Sequence, residues 1–213
     1  MTYYKFMKKG CIGSFSGKKL EPDKWLPPIE GDLVICKNGY HGCDAEHLAE
    51  WVDEELYTLE TRGDSLHDNR KDCFREIKMT RVEAWTKDTL ILWTADCAER
   101  VLPVWEKEYP GDGRVRHCIE TTRAFVEGKA TEKELAAAGA AAWDTDWAAR
   151  AAALAARAAA WAARAVAGAW AAWDTWATWA ARDAAWAAAW ADAAAAERKW
   201  QSERILYYVN KGE

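Results

Sequence analysis

WTKDTLILWTADCAERVLPVWEKEY (85–109) is the stretch at which the chain changes period, and its reading decides the fold. It reads as one long amphipathic helix, bent near Pro103. PGDG (110–113) is a turn, and RVRHCIETTRAFVEG (114–128) is a second helix closed by a glycine. Thr131 and Glu134 have the spacing of a capping box and open a third helix. All five prolines lie at or before Pro110, so the chain divides in style near residue 85.

Upstream of that division the pattern is mixed. YYKF (3–6), LVIC (33–36), LYTLET (56–61) and CFREIKMTRV (73–82) are strand-like runs with aromatic and β-branched residues. DAEHLAEWVDEEL (44–56) reads as a short helix with Asp44 as N-cap and Leu48, Trp51 and Val52 on one face. Pro27-Pro28 and Gly31-Asp32 mark a loop before the second strand. The expected architecture is α+β. A small mixed α/β module spans 1–84, and an all-α, Ala/Trp-rich domain with long antiparallel helices spans 85–213.

Downstream, residues 136–196 hold 36 alanines and nine tryptophans. Alanine is the best helix former and tryptophan the largest knob, so the tract specifies closely packed helices. AGAAAWDT…DWAARAA (138–152) recurs imperfectly as AGAWAAWDTWATWAARDAA (167–185). An unbroken helix over 143–200 would be ~87 Å long, so a break is expected near Gly168. Trp147, Leu154, Trp161 and Gly168 recur every seven residues, as do Trp179, Trp186, Ala193 and Trp200, and each line is a heptad stripe. Arg150, Arg157 and Arg164 form a parallel ladder. Trp143, Trp170 and Trp173 leave the stripes. The charged residues of the tract interrupt every apolar run well short of the ~20 residues of a membrane span, so no membrane association is expected.

Charge narrows the partner classes. Residues 1–84 carry 13 Lys/Arg against 16 Asp/Glu, and residues 85–213 carry 16 against 18. Neither part is basic, which argues against an extended nucleic acid as ligand. The start, MTYYKFMKKG, lacks the apolar stretch of a secretory leader, so the six cysteines are expected as thiols of a cytoplasmic protein in a bacterial host.

Three groups of residues are candidates for ligand or partner binding. The first is Tyr40 and His41, within Cys36-Lys37-Asn38-Gly39-Tyr40-His41-Gly42-Cys43. Two cysteines with His41 and His47 are a conceivable zinc set, but the spacing is poor for a structural site. A strand ending in an Asn-Gly turn is the plainer reading, and a ligand-contacting loop the third. The second group is Asp96 and Glu99, one helical turn apart, with Asp96 also placed to pair with Arg100. The third is Arg150 and Arg157 with Trp143, Trp170 and Trp173, where guanidinium groups and indoles would suit a nucleotide. Glycine-rich phosphate loops and Ser/His/Asp signatures are absent, so no catalytic residues and no cofactor are assigned.

Two resemblances follow from these residues. YKF, CKNGYHGC, the segment around Trp51 and LYTLETRGD (residues 3–85) resemble a small phage-associated domain sharing a Cys-x-Asn-Gly-aromatic-His-x-Cys signature. DTLILWTADCAERVLPVWEKEYPGDGRVRHCIETTRAF (88–125), the Ala-rich helices and AERKWQSERILYYV resemble the toxin-immunity-like Ala-rich helical family. The second resemblance implies an all-α domain used in conflict between bacteria, phages and toxins. Together they imply a non-enzymatic binding protein of mobile-element origin that inhibits a toxin or defence protein; homo-oligomers are expected separately, because Ala-lined helix faces with large apolar knobs can also pair between chains. Two alternatives remain: a sponge for a nucleotide immune signal, and an enzyme using the Tyr40-His41 loop.

Overall fold

YYKFM (Tyr3–Met7) becomes strand β1 because its residues alternate in destination, with Tyr3 and Met7 facing an apolar cluster. The computed structural model describes residues 1–143 and 194–211. They fall into two units, one of Met1–Thr86 with Ser202–Glu213 and one of Lys87–Gln201. With an antiparallel sheet and four helices among the described residues, the chain is α+β.

In the first unit, β2 is Tyr40–Gly42, β3 Glu55–His67 and β4 Asp72–Arg81. All pairings are antiparallel, in the order β1-β3-β4-β2. The sheet curls on itself. Directly after β2, Cys43 exchanges two main-chain hydrogen bonds with Tyr4 of β1, at 2.8 and 2.9 Å, which closes the four strands into a ring. Where β2 ends, residues 23–29 take over the edge of β4, with donors from Asp23, Leu26 and Ile29 to the carbonyls of Met79, Ile77 and Arg75. Pro27 and Pro28 fall between those donors, so their missing N–H groups cost the edge nothing. Met7, Cys11, Leu26, Tyr57, Leu59, Phe74, Ile77 and Met79 fill the core.

Two expectations fail in this unit. LVIC (33–36) is a turn and not a strand: the Lys37 and Asn38 amides both donate to the Val34 carbonyl, and Cys36 lies in the left-handed region with φ +67°. DAEHLAEWVDEEL does not form a helix over 44–56. Asp44 does accept from the amides of Glu46 and His47, but only a single 3-10 turn follows, at Leu48–Glu50. Glu55 and Leu56 are taken by β1, whose Met7 and Phe6 pair with them. The strand ladder outweighs the local helical pattern.

In the second unit, helix α1 is Lys87–Glu108, α2 Arg114–Val126 and α3 Glu132–Trp143. α1 runs without interruption through Pro103, which is exposed. α2 closes on Gly128 at φ +70°, with the Lys129 amide donating to Ala124 and the Gly128 amide to Phe125. That is a Schellman ending, in which a glycine adopts the left-handed residue at no steric cost. The capping box forms as expected: the Glu134 amide donates to the Thr131 hydroxyl at 3.2 Å, and the Thr131 amide to the Glu134 carboxylate at 2.8 Å. Helix α4, Ala194–Asn210, contributes Glu197 and Gln201 to this unit. Trp93 and Trp105 are completely buried, each removing enough apolar surface to contribute on the order of 3 kcal/mol. Among the described residues, no helix is long and apolar enough to cross a membrane.

The heptad stripes from Trp147 to Ala193, the repeat and the proposed break at Gly168 lie outside the described residues. So do Arg150, Arg157, Arg164, Trp170 and Trp173.

Candidate functional site

The loop of the sheet unit is built from its own polar atoms. The Asn38 amide group donates to the carbonyls of Glu30 and Asp32, and the Tyr40 hydroxyl donates to Pro27, so the turn is pinned to the preceding loop. Gly39, at φ +143°, lies so close to Cys73 that a Cβ there would fall 2.1 Å from the sulfur. Only glycine fits that crossing. The Cys73 thiol in turn donates to the Asn38 carbonyl at 3.5 Å.

His41 sits at the centre of this arrangement. Its Nε2 accepts the Cys36 amide at 2.9 Å, which leaves the ring proton on Nδ1, beside the Gly39 main chain. Burial, and then the nearby Lys5 and Lys71 ammonium groups, bring its pKa down to about 4. The imidazole is therefore neutral near pH 7 and acts as a brace for its own loop. Lys5 approaches from β1 and donates to the His41 carbonyl at 2.6 Å, with its pKa lowered to about 8 by burial. Lys71 approaches from just before β4, its Nζ 2.7 Å from the Cys36 sulfur. Cys43 is buried, which pushes its thiol up to about 12, with Asp44 adding to the rise. Among the described residues, no three His, Cys, Asp or Glu side chains are grouped to hold a metal ion.

The second cluster lies in the helical unit. Asp96 and Glu99 share one guanidinium, that of Arg123 on α2, at 2.6 and 2.5 Å. Asp96 is buried, whereas the Glu99 side chain is 54% exposed, so the pair runs from the interior to the surface. The expected Asp96–Arg100 pair does not form. Arg100 instead donates to Glu197 of α4 at 2.6 Å and lies over the Trp200 ring, 4.6 Å from its centre. Glu197 is 3% exposed, and burial raises its carboxyl above the ordinary value while Arg100 works against the rise. Between α2 and α3, His117, Glu120, Thr121 and Ala124 of α2, Lys129 of the connection and Glu134 of α3 line a groove of about 300 Å³.

Of the residues singled out from sequence, Tyr40 and His41 are neighbours on β2, and Asp96 and Glu99 share one arginine. Trp143 ends α3, with its side chain outside the description. Arg150, Arg157, Trp170 and Trp173 have no described position. Sequence reading missed Lys5, Lys71, Arg123 and Glu197. For Lys5 a signal existed, since a lysine between Tyr3 and Met7 occupies an inward position of an alternating strand. Arg123 and Glu197 are set by helix packing and carry no local signal.

Comparison with known proteins comes down to one match. A family model described as Imm-5 like putative immunity protein covers residues 80–207. No curated protein and no solved structure matches the chain.

Proposed function

The chain belongs to the Imm-5 like family of immunity proteins, and from that membership we propose that it binds and inhibits a protein toxin. The observation that carries this reading is the match over residues 80–207, which takes in α1, α2, α3 and most of α4. The described chemistry agrees with a binding role: in the helical unit the buried Asp96 is paired with Arg123 and the buried Glu197 with Arg100, and His41 serves its own loop. We place the docking surface on the exposed rim of α1 and α2, around Glu99 and the groove that includes His117, Glu120 and Lys129. A mobile-element origin, a cytoplasmic location, self-association and the phage-like character of residues 3–85 belong to the same proposal.

The test is co-expression with a panel of bacterial toxin domains. Rescue of growth, together with a stoichiometric complex on gel filtration, is the expected result. Glu120→Lys, at an exposed position, should weaken the complex at least tenfold without shifting the melting temperature, as for a charge at an interface. Absence of both rescue and complex across those domains would sink the proposal. An intact nucleotide released on heating the purified chain would instead favour sequestration by the Arg150, Arg157, Trp143, Trp170 and Trp173 group.

A further inference from the structure

Cys36 and Lys71 meet more closely than an ordinary polar contact brings such atoms. Their 2.7 Å separation is that of a short N–H···O hydrogen bond, and sulfur is much larger than oxygen. One oxygen atom set between them would be within bonding reach of both. The pair is also held in register from both sides. Cys36 is fixed by its left-handed backbone and by the hydrogen bond its main-chain N–H donates to His41 Nε2. The Lys71 ammonium rests 5.3 Å from the centre of the Trp51 ring. Access favours the same atoms, since Cys36 is exposed while Cys11, Cys43, Cys73, Cys97 and Cys118 are all buried.

We propose that Cys36 and Lys71 are the two halves of an oxidation-dependent crosslink, joined as Nζ–O–Sγ, with dioxygen as the oxidant. The thiol S–H, one N–H of the neutral amine and the dioxygen bond break. One oxygen atom forms the S–O and N–O bonds, and the other leaves as water with the two hydrogens. Sulfur and nitrogen each give up two electrons and dioxygen takes four. The ammonium at Lys71 first gives its extra proton to solvent. The product ties the 34–39 turn to the residue just before β4, 35 positions along the chain, and removes one surface cation. Four equivalents of a thiol reductant reverse it: two cleave the N–O bond to give the Lys71 amine and a Cys36 sulfenic acid, and two more reduce that sulfenic acid to the thiol and water, as for other reversible cysteine oxidation products. The inference stands apart from the proposed inhibition, because both residues precede the family match.

The full chain, purified in air and in parallel under a strong thiol reductant, provides the test. In air its intact mass should rise by about 14 Da, one oxygen gained and two hydrogens lost, and the rise should vanish on reduction. Proteolysis should recover the Cys36 and Lys71 peptides joined. Lys71→Arg keeps the charge and the contact with Trp51 but offers no amine, so it should show no such gain, and neither should Cys36→Ser. The inference fails if aerobic protein yields no joined peptide, if Lys71→Arg gains the same mass, or if Cys36 is found in a disulfide. The peptide map of the unaltered chain decides the matter even where a variant folds poorly.

Discussion

The two units satisfy their buried polar groups by different means. In the sheet unit, buried side chains serve the main chain. Glu55 accepts the amides of Gly10 and Cys11, the Tyr57 hydroxyl and the Arg81 guanidinium, at 2.8 to 3.1 Å. His41 and Asn38 likewise spend their polar atoms on backbone groups. In the helical unit the backbone satisfies itself, and buried acids must find a charged side chain on another helix, as Asp96 finds Arg123 and Glu197 finds Arg100. Loops leave amides without ladder partners and recruit side chains to fill the deficit, whereas the interior of a helix leaves none and only its ends need caps such as Thr131. One arrangement makes loops rigid, and the other locks helices in register.

This contrast can be broken at either end. The largest effect is expected for Glu55→Ala, which orphans two amides, a hydroxyl and an arginine together. Denaturant unfolding should show a loss of about 4 kcal/mol. Arg100→Ala comes next, at about 2–3 kcal/mol near pH 7, because it strands a carboxylate in the interior. With the folded-state value of Glu197 above its unfolded one, that loss should grow as pH rises above the ordinary carboxylate range. Adding Glu197→Gln should recover most of it, and a double-mutant cycle with no coupling would contradict the pairing.

A smaller effect is expected from pH at the sheet unit. His41 titrates at about 4 when folded and 6.5 when unfolded, so between those values the unfolded chain binds more protons. Stability should therefore fall as pH drops from 6.5 through 4, by about 1–2 kcal/mol once solvent screening of the half-buried ring is allowed for. Melting curves of the His41→Asn chain should lose that slope. The smallest change is expected for Thr131→Ala, about 1 kcal/mol from the lost cap of α3, measured by the same melts.

What could be read from the sequence follows the same division. The helical unit announces itself through local chemistry: the period of 85–109, the PGDG turn, Gly128 and the Thr131/Glu134 box all act within a few residues. The strands at 3–6, 56–61 and 73–82 could be read because they alternate. The runs at 33–36 and 44–56 misled because their fate is decided at a distance. An apolar tetrapeptide without a free neighbouring edge becomes a turn, and Glu55 and Leu56 are claimed by a strand some 50 residues earlier. The same reason hid half of each ion pair: Asp96 was visible as a candidate, but Arg123 is brought to it only by packing.

Ser202 gives the sheet unit an unusual order of completion. Its buried hydroxyl accepts the Ala49 amide at 3.1 Å and donates to the Glu46 carbonyl at 2.8 Å, from more than 150 residues downstream. During synthesis, then, the 46–49 segment must wait for a partner that leaves the ribosome more than 150 residues later. At roughly 5–20 residues per second that interval is on the order of ten seconds or more, long enough for the unfinished 46–49 turn to meet chaperones before its own partner.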